Sequence, residues 1–309
     1  MDTFKNYHIL YINLDHRKDR KKYIETQLRS MNLVKRKNYV TKRISGVLGT
    51  AIHKNYLRLA KEFNVQPEQM KESFWLSRKN FKTMSNNKNK VLGRVGCFLG
   101  HLRALQYAHK HKLNKVIILE DDCSFIQNEH FKFPKPPKDN DIFYLGGLYR
   151  HLTTKIKPIR IQNNWLSIDP TKLIFYCAFS YGFTKLSSIA HAKVLFESVW
   201  LPGKGKDKPL DWKSGKERIR ATVADNMYVN FIQKYGNAYV LIQPICIQSD
   251  AFISDVTDFG KVTPNKPSNL NYFYNKSYEK QYIQTLRNKH KTTDHTKDKT
   301  KDKTKHKKK

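Results

Sequence analysis

The sequence predicts an α/β fold with a mainly parallel central sheet, and three observations carry that expectation. Short, almost continuous apolar runs such as Tyr7 to Leu14 (YHILYINL) and Val116 to Leu119 (VIIL) have the pattern of strands covered on both faces. Apolar residues at helical spacing, such as Phe98, Leu102 and Leu105, fall between such runs. Strands that alternate with helices form layers around a parallel sheet.

The first strand covers Tyr7 to Leu14, and the polar DHRKDR at its end opens a helix near Asp15. Val40 to Val47 makes a second strand closed by Gly46 and Gly49, and Ile52 to Phe63 a helix. Asn80 to Lys90 (NFKTMSNNKNK) is polar and rich in asparagine and lysine, which reads as a mobile loop. After the Phe98 to Leu105 helix, the strand VIIL ends in Glu120, Asp121 and Asp122. Asp141 to Gly147 reads as a strand, Leu173 to Phe183 as an aromatic strand and Leu186 to Val199 as a helix. Leu201 to Gly215, rich in Gly, Pro and Lys, is a loop before a helix at Thr222 to Lys234, and Tyr239 to Ile247 closes the folded region as a strand. The tail HKTTDHTKDKTKDKTKHKKK has no apolar residue to bury and is expected to be disordered. The chain therefore divides into a folded domain at 1–287 and a Lys-rich tail at 288–309.

With 309 residues the chain can bury a substantial core, and 39% hydrophobic content sets the body apart from a disordered protein despite its lysines. Ten lysines and three aspartates give the tail +7 of a formal charge of +33, leaving +26 on the body. Such a surface attracts nucleic acid, anionic membrane and nucleotide phosphates alike, so charge does not choose among them. No RRM, KH or zinc-finger signature is present, and no specific nucleic-acid partner is expected. Cys97, Cys123, Cys177 and Cys246 form no CxxC pair and read as reduced thiols. The first apolar stretch is too short for a signal peptide and no run approaches the roughly 20 apolar residues of a membrane span, so the expectation is a cytoplasmic protein. A homo-oligomer stays open.

In VIILEDD three carboxylates follow a buried strand, the place where open parallel sheets bind ligands. Alternation on an extended backbone sends Glu120 and Asp122 one way and Asp121 the other. Two oxygen donors on one side suit Mg²⁺ or Mn²⁺ bridging a diphosphate. The plainer reading is a solvated acidic turn, but mutual repulsion beside an apolar strand argues for a counter-cation.

The ordered blocks YINLDHRKDR at 11–20, GRVGCFLGHLRALQYAHKHKLNKVIILEDD at 93–122, DIFYLGG at 141–147, FSYGFTKLSSIAHAKVL at 179–195, VADNMYV at 223–229 and AFISDV at 251–256 resemble glycosyltransferase family 25. That family includes lipooligosaccharide glycosyltransferases and the galactosyltransferase domain of procollagen-modifying enzymes. GCFLGHLRAL followed by ILEDD is the most specific of these blocks. The resemblance implies a GT-A-like, Rossmann-type nucleotide-sugar transferase fold, usually with Mn²⁺ and a UDP-sugar donor, commonly UDP-galactose, and inversion at the anomeric carbon. The acceptor would be a hydroxyl of a glycan or of hydroxylysine in a collagen-like protein. Two departures stand out: Arg94 and Gly100 replace a glutamate and a serine of the family pattern. Pro244, Ile245 and Cys246 stand where procollagen-type members carry Pro-Thr-His, so a third metal ligand is unassigned.

By resemblance Glu120 and Asp122 hold the metal or donor ribose, while Asp121 orients backbone, binds sugar hydroxyls, or has a plain structural role. Asn13, Arg17 and Arg20 follow the first strand, where an amide could read a nucleobase or ribose and guanidinium groups could pair with phosphate; a solvated helix start is the plainer alternative. Gly46 would let the nucleotide approach or simply make a turn. His101 flanks an apolar stripe and is either a core contact or a site residue, and Cys97 reads as packing. Asp225 is the candidate base for the acceptor hydroxyl, or an ordinary N-cap. Asp250 and Asp255 are weaker candidates for metal or acceptor contact. Two other classes compete: a basic nucleic-acid-binding protein, and a sugar-binding or scaffolding protein of the same fold without turnover.

Overall fold

The computed structural model of the chain describes residues 4–34, 36–73, 88–125, 134–151, 161–168, 173–176, 178–197, 224, 228–233, 236–241 and 244–249. The chain divides into two units, Met1–Pro264 and Asn265–Lys309, and all described residues belong to the first. Asp225, Asp250, Asp255, the expected loop at 201–215 and the tail lie outside the described residues.

Strand β1 (His8–Asn13) runs parallel between β2 (Thr41–Ser45) and β3 (Val116–Glu120). On the far side of β3, β10 (Ser180–Phe183) pairs antiparallel with both β3 and β5 (Ile142–Tyr144). β11 (Ala238–Leu241) continues parallel to β5, and β8 (Trp165–Ser167) and β7 (Ile161–Gln162) complete the order β2-β1-β3-β10-β5-β11-β8-β7. Following these pairings, only β10 and β8 run against the other six, so the sheet is mainly parallel, as the sequence predicts. Two small ladders accompany it: β4 (Cys123–Phe125) with β12 (Cys246–Gln248), and β6 (Leu148–His151) with β9 (Leu173–Tyr176).

Helices cover both faces. Tyr11 turns to α1 (Lys18–Ser30), where its hydroxyl donates to Glu25 at 2.5 Å, while the next residue, Ile12, lies beneath Gly100 of α4 (Lys88–Lys110). This is the two-residue alternation of a strand packed on both sides. Val116 to Leu119 are fully buried, each such side chain contributing about 1.5–3 kcal/mol of burial. The strand therefore holds its acidic end in a fixed place. α2 (Ile52–Phe63) and α3 (Pro67–Ser73) follow β2, and α5 (Leu186–Glu197) packs on α4 through the stacked rings of Phe98 and Phe196, 4.8 Å apart.

Glycine brings α4 down onto the β2–α2 connection. A Cβ on Gly49 would stand 2.1 Å from the Leu92 carbonyl oxygen, and one on Gly96 2.3 Å from that of Val47. Backbone therefore touches backbone there, which no larger residue permits. Elsewhere Arg36 ties the turn before β2 to the start of β1, donating to the carbonyls of Leu33, Phe4 and Tyr7 at 2.9, 3.0 and 2.6 Å. Burial lowers its pKa to about 10.

Four expectations need correction. Leu173 to Phe183 is two strands in different sheets, β9 and β10. Tyr239 to Ile247 likewise divides into β11 and β12, with Pro244, which has no N–H for a ladder, between them. A continuous apolar pattern records burial and says nothing of which partner provides it. Lys88 to Lys90, expected in a loop, already belong to α4, since lysine is a good helix former. Within the helix expected at Thr222 to Lys234, Ala224 is helical, and Tyr228–Gln233 forms a π-helical turn. There the buried Gln233 amide donates to Tyr144 at 2.9 Å and to the Phe175 carbonyl at 2.7 Å, and accepts from the Phe175 N–H at 3.1 Å.

Candidate active site

Because β1 and β3 are parallel neighbours, with Ile12 opposite Glu120, their carboxyl ends bring Asn13 and the acidic triplet together. β3 ends at Glu120 and the chain turns at Asp121 and Asp122. Glu120 faces α4, where His101 Nε2 stands 2.9 Å and the Cys97 thiol 3.5 Å from its Oε1. Asp121 faces the α1 side: its Oδ2 accepts from Asn13 Nδ2 at 2.7 Å and its Oδ1 from Arg20 Nη1 at 3.0 Å. Asp122 was expected beside Glu120. It meets the same Arg20 nitrogen as Asp121, at 3.4 Å, because the turn breaks the alternation after β3 ends.

Asp122 is the most constrained of the three. Gln248, on β12, donates to its Oδ2 at 3.2 Å, and the Ser249 N–H donates to its carbonyl at 2.7 Å. Its Oδ1 is buried and has no hydrogen-bond partner among the described residues. Burial first, and then the charge of Glu120, pushes its carboxyl up to about 7 against the pull of Arg20. Burial raises Asp121 as well, with Asn13 and Arg20 opposing. Glu120 goes the other way: burial pushes it up, but the hydrogen bond and charge of His101 outweigh that and bring it below the ordinary value. Three carboxylates thus gather around Arg20 and His101, an arrangement with a negative excess and one carboxylate oxygen unsatisfied.

The other predicted residues fall as follows. Asn13 commits both amide protons to protein, one to Asp121 and one to the Arg17 carbonyl at 3.0 Å, while its Oδ1 accepts from Arg43 Nε at 2.9 Å. Its amide therefore organises the site. Arg17 sits at the start of α1 and pairs with the exposed Asp19 at 2.8 Å. Gly46 packs on the end of β1, where an added Cβ would lie 3.1 Å from Leu14 Cδ2, and its N–H donates to the Asn13 carbonyl at 2.8 Å. His101 is buried, with its Nδ1 2.8 Å from the Tyr181 hydroxyl. Tyr228 donates to Tyr181 at 2.6 Å, which extends this series to the π-helical turn.

The sequence pattern of Glycosyltransferase family 25 (LPS biosynthesis protein) matches residues 6–169, more than half of the chain. The chain belongs to glycosyltransferase family 25. The matched region contains β1, α1, β2, α4, β3 and the whole acidic triplet, so the transferase carries its family pattern where the strand ends gather the charged groups. A comparison with curated proteins returns no match. Among the described residues no helix is long and apolar enough to cross a membrane.

No single-residue signal in the sequence points to Gln248, Arg43, Tyr181 or Tyr228, and Cys97 reads there as packing. Gln248 reaches Asp122 across 126 positions through the β4–β12 ladder, a pairing without a local signal. Cys97 could have been found: Cys-x-x-x-His on a helix places both side chains on one face.

Proposed function

We propose that this transferase moves a hexose, galactose or glucose, from a UDP-sugar to a hydroxyl of a glycan or of hydroxylysine in a collagen-like protein, with inversion and with Mn²⁺ or Mg²⁺. The observation that carries the reading is the unsatisfied, buried Oδ1 of Asp122 inside a carboxylate-rich corner at the strand ends. Hard oxygen donors with excess negative charge fit such an ion. Asp122 and Glu120 would hold it, and when bound it would supply neutralisation of the charge on the departing UDP.

The chain's own groups prepare that corner. Arg20 and Asn13 fix Asp121, which leaves Asp121 to orient the donor sugar or the backbone beside it. Gln248 and Arg20 occupy Oδ2 of Asp122, which leaves Oδ1 without a hydrogen-bond partner among the described residues. Arg17, at the mouth of α1, can exchange Asp19 for a donor phosphate. Gly46 keeps the end of β1 and its Asn13 close to the connection after β2. Asp225 is assigned as the base. It accepts the acceptor hydroxyl proton as the new C–O bond forms and the bond to the diphosphate breaks with its electron pair.

The test is UDP release from a panel of nucleotide sugars, with Mn²⁺, with Mg²⁺ and with chelator, on wild type and on Asp122→Ala. The expected result is metal-dependent release from one donor, reduced at least about 100-fold in the folded variant, as for loss of one preorganised charge-stabilising group. No release and no calorimetric binding of any UDP-sugar would overturn the reading.

A further inference from the structure

Cys97 and His101 stand one helical turn apart on α4 and both face the end of β3. The Cys97 sulfur, a His101 ring nitrogen and a Glu120 oxygen lie within 4.8 Å of one another. His101 Nδ1 is fixed by the Tyr181 hydroxyl, which Tyr228 fixes in turn. A ring held this way presents Nε2 in one direction, which is how outer partners orient metal-ligating histidines. His101 is buried, but Cys97 and Glu120 are partly exposed, so one side of the cluster is open to an entering ion and to a water ligand.

We infer that Cys97, His101 and Glu120 form a binding site for a borderline-soft divalent cation, Zn²⁺ foremost, which shares Glu120 with the hard-cation site proposed above but adds sulfur and nitrogen donors to it. Thiolate, imidazole and a single carboxylate favour zinc over Mg²⁺ or Mn²⁺, which prefer oxygen. Zinc bonds of about 2.0–2.3 Å separate tetrahedral donors by roughly 3.5 Å, close to the 2.9 and 3.5 Å at which His101 and Cys97 stand from Glu120. On binding, the Cys97 thiol gives its proton to solvent and the thiolate coordinates. The Nε2 proton that His101 donates to Glu120 in the metal-free site moves through solvent to Nδ1, where it is donated to the Tyr181 oxygen, and the freed Nε2 lone pair coordinates. Glu120 exchanges the His101 hydrogen bond for the metal. The site does not rest on the transferase reading, because zinc binds there without a sugar donor.

The experiment is titration of chelator-treated, full-length protein with Co²⁺ and then Zn²⁺. The expected result is one ion per chain, a near-ultraviolet thiolate-to-cobalt absorption that zinc abolishes, and loss of that band in Cys97→Ser. Tyr181→Phe should weaken zinc by about 10–100-fold through ring orientation. Asp122→Asn should retain the cobalt band while losing UDP release, which separates this site from the one proposed above. Protection of one thiol from alkylation by Zn²⁺, mapped to Cys97 by mass spectrometry, tests the wild type should a variant fail to fold. Cobalt bound without a sulfur band, a band that survives Cys97→Ser, protection at another cysteine, or no binding would each overturn the assignment.

Discussion

The two sides of the β3 terminus are held by different chemistry. Towards α4, phenol, phenol and imidazole stand in series from Tyr228 through Tyr181 to His101, and the last of them reaches Glu120. Towards α1, one guanidinium bridges Asp121 and Asp122. A hydrogen-bonded series fixes the direction of an acid and favours its charged form. A shared ion pair offsets less than the burial of two carboxylates demands. The outcome is legible in the acids themselves: Glu120 sits below its ordinary value and Asp122 rises to about 7, burial being the larger cause in the second case.

The sharpest way to break this contrast is to remove the shared cation. Arg20→Ala strands two buried carboxylates and should destabilise the metal-free protein by about 3–5 kcal/mol in urea denaturation at neutral pH. A loss well below 1 kcal/mol would show that the two acids are held by something other than charge.

A second test uses the sign of the Asp122 shift. Its folded pKa is raised, so the native state binds the extra proton. The stabilisation is present at low pH and is lost as pH rises from 3.8 through about 7. That loss amounts to at most about 4 kcal/mol. Asp122→Asn should flatten this part of the pH–stability curve in the presence of chelator, and an unchanged slope would assign it to another group.

On the α4 side, Tyr181→Phe removes the hydroxyl between Tyr228 and His101 and should cost about 1–3 kcal/mol by leaving buried polar groups unpaired. An unchanged urea midpoint would mean that the series orders the ring without stabilising the fold. The smallest effect is expected for Arg17→Ala. Its exposed pair with Asp19 should contribute less than about 1 kcal/mol, while donor affinity should fall if Arg17 meets a phosphate.

Most of the central scaffold is legible in sequence because burial on both faces leaves a continuous apolar run. β1, β3 and α2 follow directly from YHILYINL, VIIL and the pattern of Ile52 to Phe63. The acidic triplet is legible for the same reason, since polar residues that follow such a run lie at the carboxyl end of its strand. What the sequence hides is partnership. Nothing in Leu173 to Phe183 tells that β9 leaves the main sheet and β10 joins it, reversed, between β3 and β5. The position of Asp122 is hidden as well, because a single turn residue decides whether alternation continues. Gln248 and Tyr181 belong to the site only through long-range pairing, so local spacing carries no trace of them.

The β4–β12 ladder also has a bearing on the order of events during synthesis. Asp122 emerges from the ribosome well before Gln248, and the contact between them closes a loop of 126 residues. Such closure comes late, after the entropy of the intervening chain has been overcome. The acidic corner is thus expected to be completed late in folding. A nascent chain interrupted before Cys246 would carry the whole acidic triplet yet lack the strand that turns Asp122 into position.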